Sequence, residues 1–208
     1  MALVDHPFPV YVTRHGETAF NAQGRYQGAR DDSPLTIRGR QQALDIALRL
    51  KDEFDGVAAP SFVSSPLGRA TTTTQLILQT LGLADDAYTT DFRLREIDLG
   101  DWSGKVIESL KITDADNWHT RETDKWNIAV PGGESYADVA KRAADWYASL
   151  TGPTIAVSHG GIGRILRGLQ QDLDWRAMSG LDEPYGTVFK FYAGQIIRIG
   201  PPPSGKLR

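Results

Sequence analysis

The chain has 208 residues, with 26 acidic and 23 basic side chains, a net charge of -3 and no cysteine. That length suits one domain able to bury about 70% of its unfolded surface, so we expect a single domain over residues 1–208. The acidic balance lacks the basic footprint of a nucleic-acid binder, and the missing cysteines exclude disulfides, thiolate metal sites and thiol nucleophiles.

The first residues, MALVDHPFPVYV, have no basic start, and Asp5, His6 and two prolines interrupt the apolar residues, which argues against a secretory signal. No run reaches the roughly 20 apolar residues of a spanning helix. The expectation is a cytoplasmic protein with neither membrane nor nucleic-acid partner. Oligomeric state is open, a homodimer included.

Val10 to Thr13 reads as a short buried strand between Pro9 and Gly16. Residues 22–34 are polar and glycine-containing, a loop. Thr36 opens a helix in which Ala43, Leu44, Ala47, Leu48 and Leu50 recur at helical spacing, with Asp55-Gly56 as its stop. Phe62-Val63 is a second strand running into Ser64-Ser65-Pro66. Leu67 to Leu81 is a helix stopped by Gly82, and Tyr88 to Phe92 a third strand.

Residues 93–133 show no single period. They hold several short helical patterns and Trp102, Trp118 and Trp126. Beyond them, Glu134 to Leu150 is an amphipathic helix with Val139, Ala143, Trp146 and Leu150 on one face. Thr154 to Val157 is a buried strand, Gly161 to Leu169 a helix, and Thr187 to Ile199 a hairpin turning at Ala193-Gly194. The alternation predicts an α/β fold: a three-layer sandwich with a mostly parallel central sheet flanked by helices.

In such sheets ligands sit outside the carboxyl ends of the strands. The first strand ends in Arg14-His15-Gly16. The second runs into Ser64-Ser65-Pro66, with Arg69 in the next helical turn, and the strand at 154–157 ends in Ser158-His159-Gly160-Gly161. Two histidines and two arginines thus converge near helix N-termini and glycine amides, which describes an anion site with phosphate as the natural anion. A neutral imidazole is a competent nucleophile toward phosphorus. One histidine can attack while the other, protonated, helps the arginines hold the transferring oxygens. The leaving alkoxide needs a proton, and Arg95-Glu96-Ile97-Asp98 offers Glu96 and Asp98.

"TRHGET" followed by Asn21, "SSPLGRATTTT", "LREIDLGDWSG", "PGGES" and "VSHGG" run in that order from about residue 10 to 165. Together they resemble the histidine phosphatase superfamily, the phosphoglycerate mutase-like proteins. The resemblance implies that His15 takes up the phosphoryl group, that Arg14 and Arg69 clamp it, that His159 is the second pocket histidine, and that Glu96 gives and takes the proton. It adds Asn21 as a phosphate contact, Gln27-Gly28 as a loop lining the pocket, and Gly160 beside His159 as a phosphate or substrate contact. A backbone carbonyl at Gly16 would hold His15 through Nδ1 and leave Nε2 free. Glu96 would carry a moderately raised pKa, pushed up by burial and pulled down by Arg14 and Arg69.

Other residues read as structural. His6 and His119 lie outside the motifs. Asp98 and Asp101 suit turn caps, Thr71 to Thr74 continue a helix, and the three tryptophans divide between core and substrate wall. Four scattered histidines give no metal-ligand spacing. The expected chemistry uses neither metal nor cofactor, because arginines neutralise the phosphoryl charge.

The reading is therefore a metal-independent phosphomonoesterase that works through a phosphohistidine on a small phosphorylated metabolite, with residues 97–133 as a cap that sets specificity. A cofactor-dependent phosphoglycerate mutase uses the same residues. In that branch a longer insert carries adjacent arginines for the substrate carboxylate, and no Arg-Arg pair occurs between residues 97 and 158. A catalytically inactive phosphate-binding module would be expected to lack the nucleophile or the acid, and neither is missing.

Overall fold

The computed structural model describes residues 2–54 and 60–201. Six strands form one sheet: β1 (Val10–Arg14), β2 (Ser61–Ser64), β3 (Thr89–Thr90), β4 (Thr154–Ser158), β5 (Val188–Tyr192) and β6 (Gln195–Ile199), in spatial order β3-β2-β4-β1-β5-β6. The four strands from β3 to β1 run parallel. β5 lies antiparallel to β1, and β6 antiparallel to β5. The β5–β6 hairpin turns at Ala193 and Gly194, both at positive φ (50° and 72°), as a two-residue turn with right-handed strand twist requires.

Alternation along the strands makes the two faces. Val10, Val12 and Ala156 point into one core, against α6 (Tyr136–Ala148) and α7 (Gly160–Gln170). Tyr11, Ile155 and Val157 point into the other, against Ile46 and Leu50 of α2 (Ile37–Glu53) and Ile77 and Leu78 of α3 (Gly68–Thr80). The result is the three-layer α/β arrangement expected from the element order. Parallel strands buried on both faces explain why β1 and β4 read as continuous apolar runs.

The helix boundaries follow local chemistry. Thr36 caps α2 by accepting from the Gly39 amide, and Ser135 caps α6 in a reciprocal box with Asp138. Thr71 to Thr74 lie inside α3, where Thr73 and Thr74 donate to the Arg69 and Ala70 carbonyls. Gly82 follows α3 at φ 73°. The third strand shrinks to Thr89–Thr90. The expected stop of α2 at Asp55-Gly56 lies outside the described residues. Periodicity missed two short helices, α1 (Ala19–Ala22) and α8 (Trp175–Ser179), which are too short to show a period.

The irregular segment folds as 3₁₀ turns at Phe92–Leu94 and Gly100–Trp102, then α4 (Ile107–Thr113) and α5 (Ala115–Thr123). Trp102 is fully buried and stacks 5.4 Å from Trp118 and 6.2 Å from Tyr26. Its indole donates to Asp114. Trp118 and Trp126 pack against the same core. These tryptophans organise the segment, and none lines the pocket described next.

Candidate active site

The sheet ladder continues past the strands: the His15 amide donates to the Ser158 carbonyl and the Ser65 amide to the Val157 carbonyl, each at 2.9 Å. Three strand ends are thereby tied to one edge, where His15, Arg69 and His159 are buried. Gly16 follows His15 because the backbone of α2 crosses there. A Cβ on Gly16 would sit 2.1 Å from the Gly39 carbonyl oxygen.

His15 Nδ1 lies 2.7 Å from the Gly16 carbonyl, which accepts from the ring N–H and so fixes the tautomer. Nε2 then carries the lone pair and accepts from Arg69 Nε at 3.2 Å. The rest of the Arg69 guanidinium donates to the carbonyls of Gly28 (2.6 Å) and Asp31 (3.1 Å) and to Asp32 Oδ1 (3.2 Å). Gly28 holds φ 54°, a conformation that favours glycine, and through its carbonyl it orients Arg69. Arg14 Nη1 donates to the Glu183 carbonyl at 2.8 Å, and its guanidinium lies over the Tyr185 ring.

His159 stands edge-on to His15, with ring centres 5.1 Å apart, and its Nε2 is 2.7 Å from Ser65 Oγ. Three buried side-chain polar atoms among the described residues have no partner: Arg14 Nε, Arg121 Nε and His159 Nδ1. Arg14 and Arg121 line one cavity, and His159 packs on its nucleophile candidate. Unpaired buried polar atoms cost about 1–3 kcal/mol each, so the two on cavity-lining arginines and the one on the ring beside His15 suit a site that receives hydrogen-bonding atoms from outside.

Burial and then the nearby Arg69 and Arg14 charges hold the His15 pKa well below its ordinary value, against the Gly16 bond. The same burial, with Arg69 and then His15, lowers His159. Burial first, and then the two guanidinium groups nearby, disfavour the imidazolium form of both rings in the free protein, so a protonated second histidine needs a bound anion to offset them. Glu96 Oε1 accepts from the Ile97 amide at 3.0 Å and Oε2 from the Gly161 amide at 3.2 Å. Burial first, then the charge of Glu183, raises its pKa, while the two amides and Arg69 oppose the rise. Glu96 keeps part of its surface open to the pocket, so burial acts less strongly than on an enclosed carboxyl.

The cavity measures about 250 Å³ and is lined by Arg14, His15, Asn21, Gln27, Gly28, Arg69 and Glu96. Asn21 Oδ1 is taken by Thr18, so the amide's donor end is the part available to a ligand. Gln27 lines the wall, but its amide is spent on Thr18, Ser33 and Asp32, which makes it a brace of the loop. Gly160 is a correction. The cavity is lined by Gly161 instead, and Gly160 packs on Glu183, whose Oε2 would lie 2.4 Å from an added Cβ. Asp98 also drops out as a proton donor, since it pairs with Arg30 at 2.8 Å and accepts from the Gly100 amide, away from the cavity. His6 bonds the Tyr147 carbonyl, and His119 is exposed on α5.

Sequence reading missed Arg121, Tyr136, Arg164 and Glu183, which also line the cavity. Of Lys105, Lys111 and Lys125 in the irregular segment, Lys125 lines it. Arg164 was within reach, because it lies one helical turn beyond Gly160. Arg121 and Glu183 belong to no motif. Among the described residues, no group of three His, Asp or Glu side chains is placed to hold a metal ion, and no helix is long and apolar enough to cross a membrane.

A sheet edge carrying two buried histidines, two arginines and a carboxyl whose pKa is raised by burial suits a phosphoryl-handling α/β protein. Residues 10–192 match the model of the histidine phosphatase superfamily (branch 1), and the chain belongs to that family. It is 37% identical over 134 residues to the probable phosphoglycerate mutase GpmB of Salmonella typhi, a match spanning 64% of this chain and 58% of that protein. Among solved structures it resembles the alpha-ribazole phosphatase of Shigella flexneri (26% identity, TM-score 0.75, 88% of this chain and 89% of that one). It also resembles a mycobacterial glucosyl-3-phosphoglycerate phosphatase solved with VO3 (30% identity, TM-score 0.72, 88% and 92%).

Proposed function

We propose that the protein is a phosphatase that hydrolyses small phosphate monoesters through a phosphohistidine on His15, without a metal. The observation that carries the reading is the His15–Arg69 pair inside a cavity whose buried donors await a ligand. In the first step His15 Nε2 bonds to phosphorus as the ester P–O bond breaks, and Glu96 gives its proton to the leaving oxygen. In the second, water bonds to phosphorus, the N–P bond breaks, and Glu96 takes the water proton. Arg14, Arg69 and the unpaired Nδ1 of His159 hold the equatorial oxygens, with Asn21 as a further contact. His159 takes up a proton when the dianion arrives and offsets the arginine charge.

We propose further that the chain is one domain in which residues 97–133 cap the pocket. That segment contributes Arg121 and Lys125 to the cavity wall. The cavity is small beside ordinary ligand pockets, roughly 300–1,000 Å³, which favours a small metabolite. Phosphate release from a panel of phosphorylated metabolites tests the reading. Activity is expected to survive excess EDTA, and restoration of a chelated enzyme by Mg²⁺ or Zn²⁺ would refute the metal-free scheme.

A mutase reading is favoured by the Salmonella typhi relative and by Arg121, a buried guanidinium that pairs with no carboxylate among the described residues. Such an enzyme would return the phosphoryl group to a second hydroxyl. The two readings part on one sample: interconversion of 2- and 3-phosphoglycerate, with and without a bisphosphate primer, against phosphate release. Hydrolysis is expected to dominate.

A further inference from the structure

Glu183 is the second carboxylate of the cavity, and no motif contains it. It sits in the segment between α8 and β5 and reaches back to the start of α7. Its carboxylate pairs with Arg164 at 2.9 Å and lies 3.6 Å from Arg14, which its carbonyl also holds. The carboxylates of Glu183 and Glu96 rest on consecutive glycines. An added Cβ would meet Glu183 Oε2 at 2.4 Å on Gly160 and Glu96 Oε1 at 2.5 Å on Gly161. Both glycines are needed to let two acidic side chains approach the same helical turn.

We propose that Glu183 is a positioning residue for the acid–base carboxyl: it fixes a negative charge beside Glu96 and so keeps on Glu96 the proton that the leaving alcohol takes. This rests on the phosphatase reading for its purpose, but not for its test. The charged and titratable groups that bear on Glu96 are Arg69 from α3, Arg164 from α7, Arg142 from α6, which donates to the Glu96 carbonyl at 3.1 Å, Arg14 and the buried His15 at the end of β1, and Glu183. The amides of Ile97 and Gly161 stabilise its ionised form. Among these groups Glu183 carries the negative charge, which opposes the ionisation of Glu96. Its pairing with Arg164 adds to the effect, because an Arg164 without that partner would turn its full charge on Glu96. The push on the Glu96 pKa from Glu183 is second only to burial.

Glu183→Gln removes the charge and leaves the carbonyl bond to Arg14 in place. A ¹³C titration of the Glu96 carboxyl, identified by its loss in Glu96→Gln, reads the proposal without turnover. The midpoint should fall by about 1 pH unit in Glu183→Gln, the low end of effects from a nearby charge. In kinetics with a sugar phosphate, the alkaline limb of kcat/KM should move to lower pH by a similar amount, and this displacement should vanish in a Glu96→Gln background. An unchanged or higher Glu96 midpoint in a folded Glu183→Gln protein overturns the proposal. A lowered midpoint in a protein that hydrolyses no phosphate ester would leave the proposal standing and remove the phosphatase reading instead.

Discussion

Arg69 Nε donates to His15 Nε2 across 3.2 Å, so a permanent cation rests against the lone pair that would attack phosphorus. Burial and then this contact disfavour the imidazolium form and the contact aims the ring, and it must break or bifurcate when a phosphoryl group takes the place in front of Nε2. Arg69 is then already beside the incoming oxygens.

His15→Ala should lower kcat at least about 10³-fold, the scale seen when a covalent nucleophile is removed. Rapid quench of the unaltered enzyme with substrate should trap an acid-labile, base-stable phosphoryl group on the protein. Substantial turnover by the variant would mean direct attack by water and would end the two-step scheme.

Glu96→Gln should slow sugar phosphates by about 10²–10⁴-fold, the range for general acid catalysis. It should slow p-nitrophenyl phosphate much less, since that phenolate leaves without a proton. Equal slowing of His15 phosphorylation by both substrates would dismiss Glu96 as the acid. Asp98, held by Arg30 and the Gly100 amide, is not the substitute; Glu183 is the remaining carboxylate in the cavity.

Arg121→Met tests whether the buried guanidinium reads a second anionic group. A charge-assisted hydrogen bond is worth about 1.5–3 kcal/mol, so KM for phosphoglycerates should rise roughly 10- to 100-fold, with p-nitrophenyl phosphate far less affected. Arg121 also lies 5.7 Å over the Trp102 and Tyr136 rings, so the apolar methionine keeps that packing and Arg121→Lys keeps the charge. Parallel losses on both kinds of substrate would assign Arg121 to folding alone.

The two buried histidines also predict a pH dependence of stability. Their folded pKa values are depressed, so as pH falls below about 6.5 the unfolded chain binds protons that the folded one refuses. Stability is lost in that direction. The raised Glu96 pKa acts with the opposite sign, at higher pH than its unfolded value. In thermal melts between pH 7.5 and 5.5, His15→Asn/His159→Asn should lose less Tm than the unaltered protein. An equal or steeper loss would show that the rings are not neutral in the folded state.

By itself the sequence determined the α/β order and the meeting of His15, Arg69 and His159. Apolar runs, caps and strand-end polar residues are local signals, and parallel topology brings such ends to one edge without further information. It also placed Glu96 by motif. Only the tertiary structure decided what surrounds that set. Arg121 comes from a segment with no period, ordered by the Trp102–Trp118–Tyr26 stack, and Glu183 from a loop 87 residues beyond Glu96 in the chain. The lowered pKa of His159 in the free protein was out of reach for the same reason. A protonation state is set by burial and by every charge nearby, including Arg14 and Arg69, whose distances no spacing along the chain can supply.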